Sequence, residues 1–194
     1  MDGLNYMFQS VVDLGCRSGQ RLMQILDRYP GTSSIGIDLA SPSLKVATTK
    51  ALEGGFRGRL SFKEGDVCDL DEDIEFAKID LMTCFMMGHG FWPRENCVAR
   101  LQRLRKVFPN VRRFILGDAT RTLLNQSRSK TTAAKDTVSI FTLGFEFAHA
   151  MMGVYTPTVE ERDSVLIEGG WRCVKKHILG HLANSVIFEL EREA

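Results

Sequence analysis

Ser10-Val11-Val12-Asp13-Leu14-Gly15-Cys16-Arg17-Ser18-Gly19 is the stretch that decides the fold. A short apolar run, too short for a helix, stops at a glycine-flanked turn, which predicts a buried strand over Ser10–Gly15. A helical pattern follows directly, with Leu22, Ile25 and Leu26 on one face and Pro30-Gly31 as its stop. Strand, tight turn and helix in that order predict the opening of a parallel sheet covered by helices.

The rest of the chain repeats this alternation. Ser34–Leu39 predicts a second strand, and Ser41-Pro42 opens a helix running to Gly54-Gly55, with proline near its first position. Leu60–Val67 alternates as a third strand would. Ile79–Met87 is nearly all apolar, as a central strand buried on both faces must be. Pro93 begins a helix with Cys97, Val98, Leu101, Leu104 and Phe108 on its apolar side; Arg100, Arg103, Arg105 and Lys106 read as its solvated face. Arg113–Asp118 predicts the fifth strand. Asn125–Ser139, rich in Ser, Thr and Lys, reads as a mobile surface loop inside the alternation. Helices are expected over Thr142–Met152 and Thr158–Glu168. Trp171–Leu179 and Asn184–Leu190, joined by only Gly180–Ala183, predict an antiparallel hairpin. The expected fold is an α/β, Rossmann-like doubly wound sheet of seven strands, mostly parallel with a C-terminal antiparallel hairpin, and residues 1–194 read as a single domain.

Composition narrows the function. The 194 residues are 44% hydrophobic and 25% charged, ordinary for a globular chain. With 25 Lys+Arg against 24 Asp+Glu, no electrostatic case exists for a nucleic-acid binder. Five cysteines (Cys16, Cys68, Cys84, Cys97, Cys173) form no C-x-x-C pair and read as reduced thiols of a cytoplasmic protein. The first ten residues lack a signal-peptide pattern, and no apolar run approaches about 18 residues, so no membrane association is expected.

In a doubly wound sheet, ligands lie at the carboxyl ends of the strands near the switch point. Three strand ends there carry suitable groups: Asp13 with Gly15 and Gly19; Asp38, placed for ribose hydroxyls; and Gly65-Asp66-Val67. A dinucleotide fingerprint fails, because Arg17 and Gln20 stand where its later glycines belong, and no phosphate-binding G-x-x-x-x-G-K-[ST] exists. In order, the three ends resemble the class I S-adenosylmethionine-dependent methyltransferases. That resemblance implies S-adenosyl-L-methionine as cofactor, with Asp13, Gly15, Gly19, Asp38, Asp66, Val67 and Cys84 as its binding residues. Arg17 replaces the middle glycine of that turn, so it either bends outward or impairs cofactor binding.

A second constellation follows the fourth strand. His89 lies in FMMGHGFWPRENCV (85–98) and His149 in FTLGFEFAHAMMGVY (141–155), on the helix expected to cap the same cleft. Two histidines facing one pocket suggest a site for a borderline cation, while either alone is more simply a core or capping residue. With FPNVRRFILGDATRT (108–122) and EGGWRCVKKH (168–177), these words resemble the 2-oxo acid C-methyltransferases, which methylate C3 of phenylpyruvate-like acids. The resemblance implies a small-molecule 2-oxo acid substrate and non-haem iron, or another divalent metal, held by His89 and His149. Gly90 and Ala150 stand where that family usually has an aspartate after each histidine; Glu146, three residues before His149, is the candidate to replace the lost acid. The family also carries an N-terminal helical domain that the sequence is expected to lack, which implies a homodimer or a partner chain supplying it. Two alternatives accompany this expectation: a catalytically weak or silent methyltransferase domain, and a metal-free O-methyltransferase using His149 as general base. His177 and His181 are expected at the surface. Arg94 and Arg121 are candidates to meet a carboxylate, and Phe91, Trp92, Phe145 and Phe147 to wall an aromatic pocket.

Overall fold

The computed structural model describes residues 6–121, 140–179 and 185–193. Seven strands form one sheet in the order β3-β2-β1-β4-β5-β7-β6, the doubly wound arrangement expected from the alternation. The chain packs as two compact units, one of residues 1–84 and 103–114, the other of residues 85–102 and 115–194.

The first unit contains β1 (Ser10–Leu14), β2 (Ser33–Asp38) and β3 (Leu60–Glu64), with α1 (Gln20–Arg28) and α2 (Ser41–Glu53) between them. Every residue of β1 is buried, which explains its unbroken apolar reading. β1 pairs in parallel with β2, Asp13 opposite Gly36, and with β4 (Leu81–Phe85), Leu14 opposite Cys84. Leu22, Ile25 and Leu26 are the buried face of α1, while Leu44, Ala47 and Ala51 are that of α2. β3 ends at Glu64, earlier than the expected Val67, because Asp66 accepts the Cys68 N–H at 2.8 Å and caps a short 3-10 turn over Val67–Asp69. β4 likewise covers only Leu81–Phe85 of the apolar run 79–87. Ile79 caps a 3-10 turn, and Met86 turns the chain with φ of 54°.

The second unit contains the antiparallel pair β6 (Trp171–Leu179) and β7 (Ser185–Arg192), with Trp171 opposite Arg192. It also contains α4 (Ile140–Met151) and α5 (Val159–Glu168). Thr158 and Glu161 close a reciprocal capping box at the start of α5. α3 (Arg94–Val107) and β5 (Arg113–Ala119) each contribute residues to both units. The arginines expected as the solvated face of α3 are not simply solvated. Arg100 donates to the Gly90 and Phe91 carbonyls at 3.0 and 2.8 Å, and Arg103 donates to the Leu70 carbonyl at 2.8 Å. Each satisfies carbonyls that the neighbouring turn leaves without helical or strand partners. The segment expected as a loop, the 180–183 connection and His181 lie outside the described residues. Among the described residues no helix is long and apolar enough to cross a membrane.

Candidate active site

The first unit holds the residues expected at the cofactor. Gly15 and Gly19 take left-handed φ of 71° and 69°, and Arg17 between them is forced to φ 50°. A glycine would hold that conformation without the Cβ penalty. Arg17 nevertheless keeps the turn, because its N–H donates to Asp38 Oδ2 at 2.8 Å, and its side chain is exposed. Asp38 Oδ1 accepts the Ala40 N–H at 2.9 Å, so two backbone donors orient this carboxylate at the end of β2. A Cβ at Gly36 would lie 2.7 Å from both Cys16 Sγ and a Phe62 ring carbon, so only glycine lets the strand lie this close to the turn.

Asp13 is enclosed: Thr83 Oγ1 donates to its Oδ1 at 2.7 Å, and Arg21 Nη1 reaches both oxygens at 3.1 and 3.0 Å. Burial pushes the Asp13 carboxyl above the ordinary aspartate range, against the pull of Arg21 and Thr83. Cys84 is fully buried in β4, Val67 is buried, and Asp66 is exposed. Burial pushes the Cys16 thiol up to about 12, so it is no nucleophile near neutral pH. Left-handed glycines, an oriented carboxylate after β2 and a second carboxylate after β3 fit an adenosyl cofactor.

The second unit holds the histidines. His89 follows β4 in a 3-10 turn (Gly88–Phe91), and His149 lies in the last turn of α4. The structure brings the pair together, with ring centres 4.8 Å apart and planes at 89°. His89 Nδ1 lies 2.9 Å from Asp118 Oδ1, and His149 Nδ1 lies 2.8 Å from the Phe145 carbonyl oxygen. Both partners are acceptors, so each ring donates from Nδ1, and its Nε2 is the nitrogen not engaged in that contact. The 4.8 Å between ring centres lies within the roughly 4.6–5.3 Å that two imidazoles on one ion at about 2.1 Å would show. Among the described residues no three His, Cys, Asp or Glu side chains form a group that could hold a metal ion.

Two residues behind His89 escaped the sequence reading. Asp118, at the carboxyl end of β5, is 1% exposed and accepts from Arg162 Nη2 at 3.1 Å. Burial raises the Asp118 carboxyl, but hydrogen bonding to His89 and the charge of Arg162 outweigh it and hold Asp118 below its usual range. Gly88 lets the histidine turn lie against this pair, since a Cβ there would come 3.0 Å from Asp118 Oδ2. The signals available in sequence were an acid at a strand end and an arginine in the buried register of α5, neither distinctive alone.

Glu146 lines a cavity of about 580 Å³ with Arg121, Leu143, Phe147 and Tyr155. Arg121 and Arg94 do meet carboxylates, but those of Glu161 and Glu168 in this chain. Phe91 is core, Phe145 packs on His149 at 3.9 Å between centres, and Trp92 stacks on Tyr155 at 5.1 Å. His177 pairs with Glu189 on the hairpin.

Residues 11–110 match the family described as a methyltransferase domain. The chain belongs to that family. This methyltransferase domain is 60% identical over 191 residues to "Methyltransferase ungE'" of Aspergillus campestris, an alignment covering 98% of the chain and 56% of that protein. Among solved structures, the mitomycin 7-O-methyltransferase MmcR superposes with a TM-score of 0.73 at 18% identity, over 95% of this chain and 49% of that one. Magnesium protoporphyrin IX methyltransferase (ChlM) from Synechocystis PCC 6803, with bound SAH, gives 0.67 at 20% identity, over 99% and 77%. The methyltransferase domain thus spans little more than half the length of its curated relative, and the solved structures establish its fold.

Proposed function

We propose that this methyltransferase domain transfers a methyl group from S-adenosyl-L-methionine to C3 of a 2-oxo acid, with a divalent metal, iron first among them, held by His89 and His149. The observation that carries the reading is the histidine pair, each ring tied through Nδ1 and the two centres 4.8 Å apart. S-adenosylmethionine supplies an electrophilic methyl on its sulfonium, and a bound cation supplies Lewis acidity that makes C3–H of the oxo acid easier to lose. The chain's own contributions are orientation and charge. Asp38 presents a carboxylate to the ribose hydroxyls, and the glycine turn lets the backbone approach. Asp118 holds the proton at His89 Nδ1 and Arg162 keeps Asp118 ionised, so that His89 offers its Nε2 lone pair. The Phe145 carbonyl does the same for His149. His89 and His149 would hold the cation, and it would supply Lewis acidity toward the oxygens of the 2-oxo acid.

The test is metal analysis of protein purified with iron supplementation, together with mass spectrometry of phenylpyruvate incubated with protein and S-adenosylmethionine. Bound metal and a product heavier by one methylene support the reading; no metal and no methylated 2-oxo acid sink it. A second reading has its own observation. The Asp118–His89 contact is also the geometry of an oriented general base, with Nε2 as acceptor. It corresponds to a metal-free O-methyltransferase with His89, in place of the expected His149, as general base, and it predicts chelator-resistant methylation of a phenol.

A further inference from the structure

We propose that Arg100 is the positioning residue that fixes the direction of the His89 ring, by holding from α3 the backbone that leaves the histidine. The inference rests on the reading of His89 as a working residue of the site, given above.

His89 is flanked by Gly88 and Gly90, the residue type with the widest backbone freedom, so its place must be imposed from outside its own turn. On the entering side packing does this. The Met86 N–H donates to the Gly117 carbonyl at 2.8 Å. Gly88 is buried, and a Cβ there would come 3.0 Å from both Asp118 Oδ2 and Leu116 Cδ1. On the leaving side packing does not act. Gly90 is exposed, and a Cβ there would meet no heavy atom within 4 Å. The turn's own hydrogen bonds are sparse. The Gly90 N–H reaches the Met87 carbonyl at 2.9 Å, but the Trp92 N–H reaches the His89 carbonyl only at 3.4 Å, beyond the usual range for such a bond.

Arg100 supplies the missing constraint. From the second turn of α3 its Nη1 donates to the Gly90 carbonyl at 3.0 Å and to the Phe91 carbonyl at 2.8 Å. A charged donor shared by two successive carbonyls sets the planes of both peptides. With its N–H held by Met87 and its carbonyl by Arg100, Gly90 is fixed at both ends, and the freedom of the glycine is removed without a side chain. The His89 ring, 2.9 Å from Asp118 Oδ1 through Nδ1, keeps that contact only while the turn keeps its place.

A role in positioning is separated from plain support of two carbonyls by reading His89 itself. The measurement is proton–nitrogen correlation NMR of the imidazole side chains in the metal-free native chain, Arg100→Met, Arg100→Lys and Arg100→Met/Gly90→Ala. Cobalt(II) is titrated calorimetrically into the same samples. The native chain should show His89 as a single tautomer protonated at Nδ1. Arg100→Met should average its two ring nitrogens and weaken cobalt binding about tenfold, as loss of a group supporting a metal ligand does. Arg100→Lys, a point donor in place of a fork, should fall between the two, and it reports even where Arg100→Met fails to fold. Gly90→Ala, which narrows the backbone at an open position, should return the His89 signal and most of the cobalt affinity to Arg100→Met. A native His89 signal in both Arg100 variants overturns the proposal, whatever their melting temperatures. So does a double variant no better than Arg100→Met, or a native chain without a fixed Nδ1–H tautomer. A native chain that takes up no cobalt while the NMR outcome stands overturns the metal reading instead and leaves Arg100 as the residue that positions His89.

Discussion

Asp118→Asn should be among the costliest single substitutions in this protein, and its cost follows from the charge beside it. The Arg162 side chain is 2% exposed and Asp118 Oδ2 lies 3.1 Å from its Nη2. At an effective dielectric of about 20, that contact corresponds to an attraction of about 5 kcal/mol. Asparagine keeps the volume and one acceptor but leaves the guanidinium buried without its counter-charge, which costs about 3–5 kcal/mol. For a chain of this size each kcal/mol shifts the melting temperature by roughly 2–4 °C, so the drop should be about 6–20 °C. Urea titration should show a lower midpoint with an unchanged slope. The double variant Asp118→Asn/Arg162→Met tests the cause. Removing both charges should return much of the loss, since an apolar replacement of a buried pair is close to neutral. Asp118→Asn costing under about 1 kcal/mol, or a double variant no more stable than the single, would refute the claim that an uncompensated Arg162 sets the cost.

Other outcomes can be checked in the same preparations. Arg17→Gly should raise the melting temperature slightly: it relieves about 1–2 kcal/mol of left-handed strain against an entropic cost of about 0.5–1 kcal/mol. S-adenosylhomocysteine should bind that variant no more weakly by calorimetry. The two buried aspartates should pull the pH dependence of stability in opposite directions. Asp118, held low, contributes stability above about pH 4 that is lost as pH falls through its folded value; Asp13, held high, subtracts stability as pH rises from about 4 toward its folded value. Urea midpoints between about pH 3 and 6 should therefore lose acid-limb slope in Asp118→Asn and gain it in Asp13→Asn. A Cβ at Gly90 meets no heavy atom within 4 Å, so Gly90→Asp should leave stability within about 0.5 kcal/mol. Together with Ala150→Asp it should raise the metal retained through gel filtration, read by elemental analysis.

Sequence by itself determined the order of elements and the sheet. The apolar runs at 10–15, 79–87 and 113–118 could be recognised because strands buried on both faces write their burial directly into composition. The same is true of α1, whose three buried residues repeat at helical spacing, and of the glycine turn, where Gly15 and Gly19 do take the left-handed conformation. His89 and His149 were identifiable as candidates from the words around them, and the structure sets their rings in contact. Tertiary structure alone decided what stands behind and beside them. Asp118 and Arg162 lie 44 residues apart in sequence and meet only because the end of β5 and the buried side of α5 converge. Arg21 and Thr83 reach Asp13 from a helix and from a neighbouring strand. Burial periodicity is a local property that each segment carries within itself. Which charges meet depends on how distant segments pack, and no local window of residues contains that information.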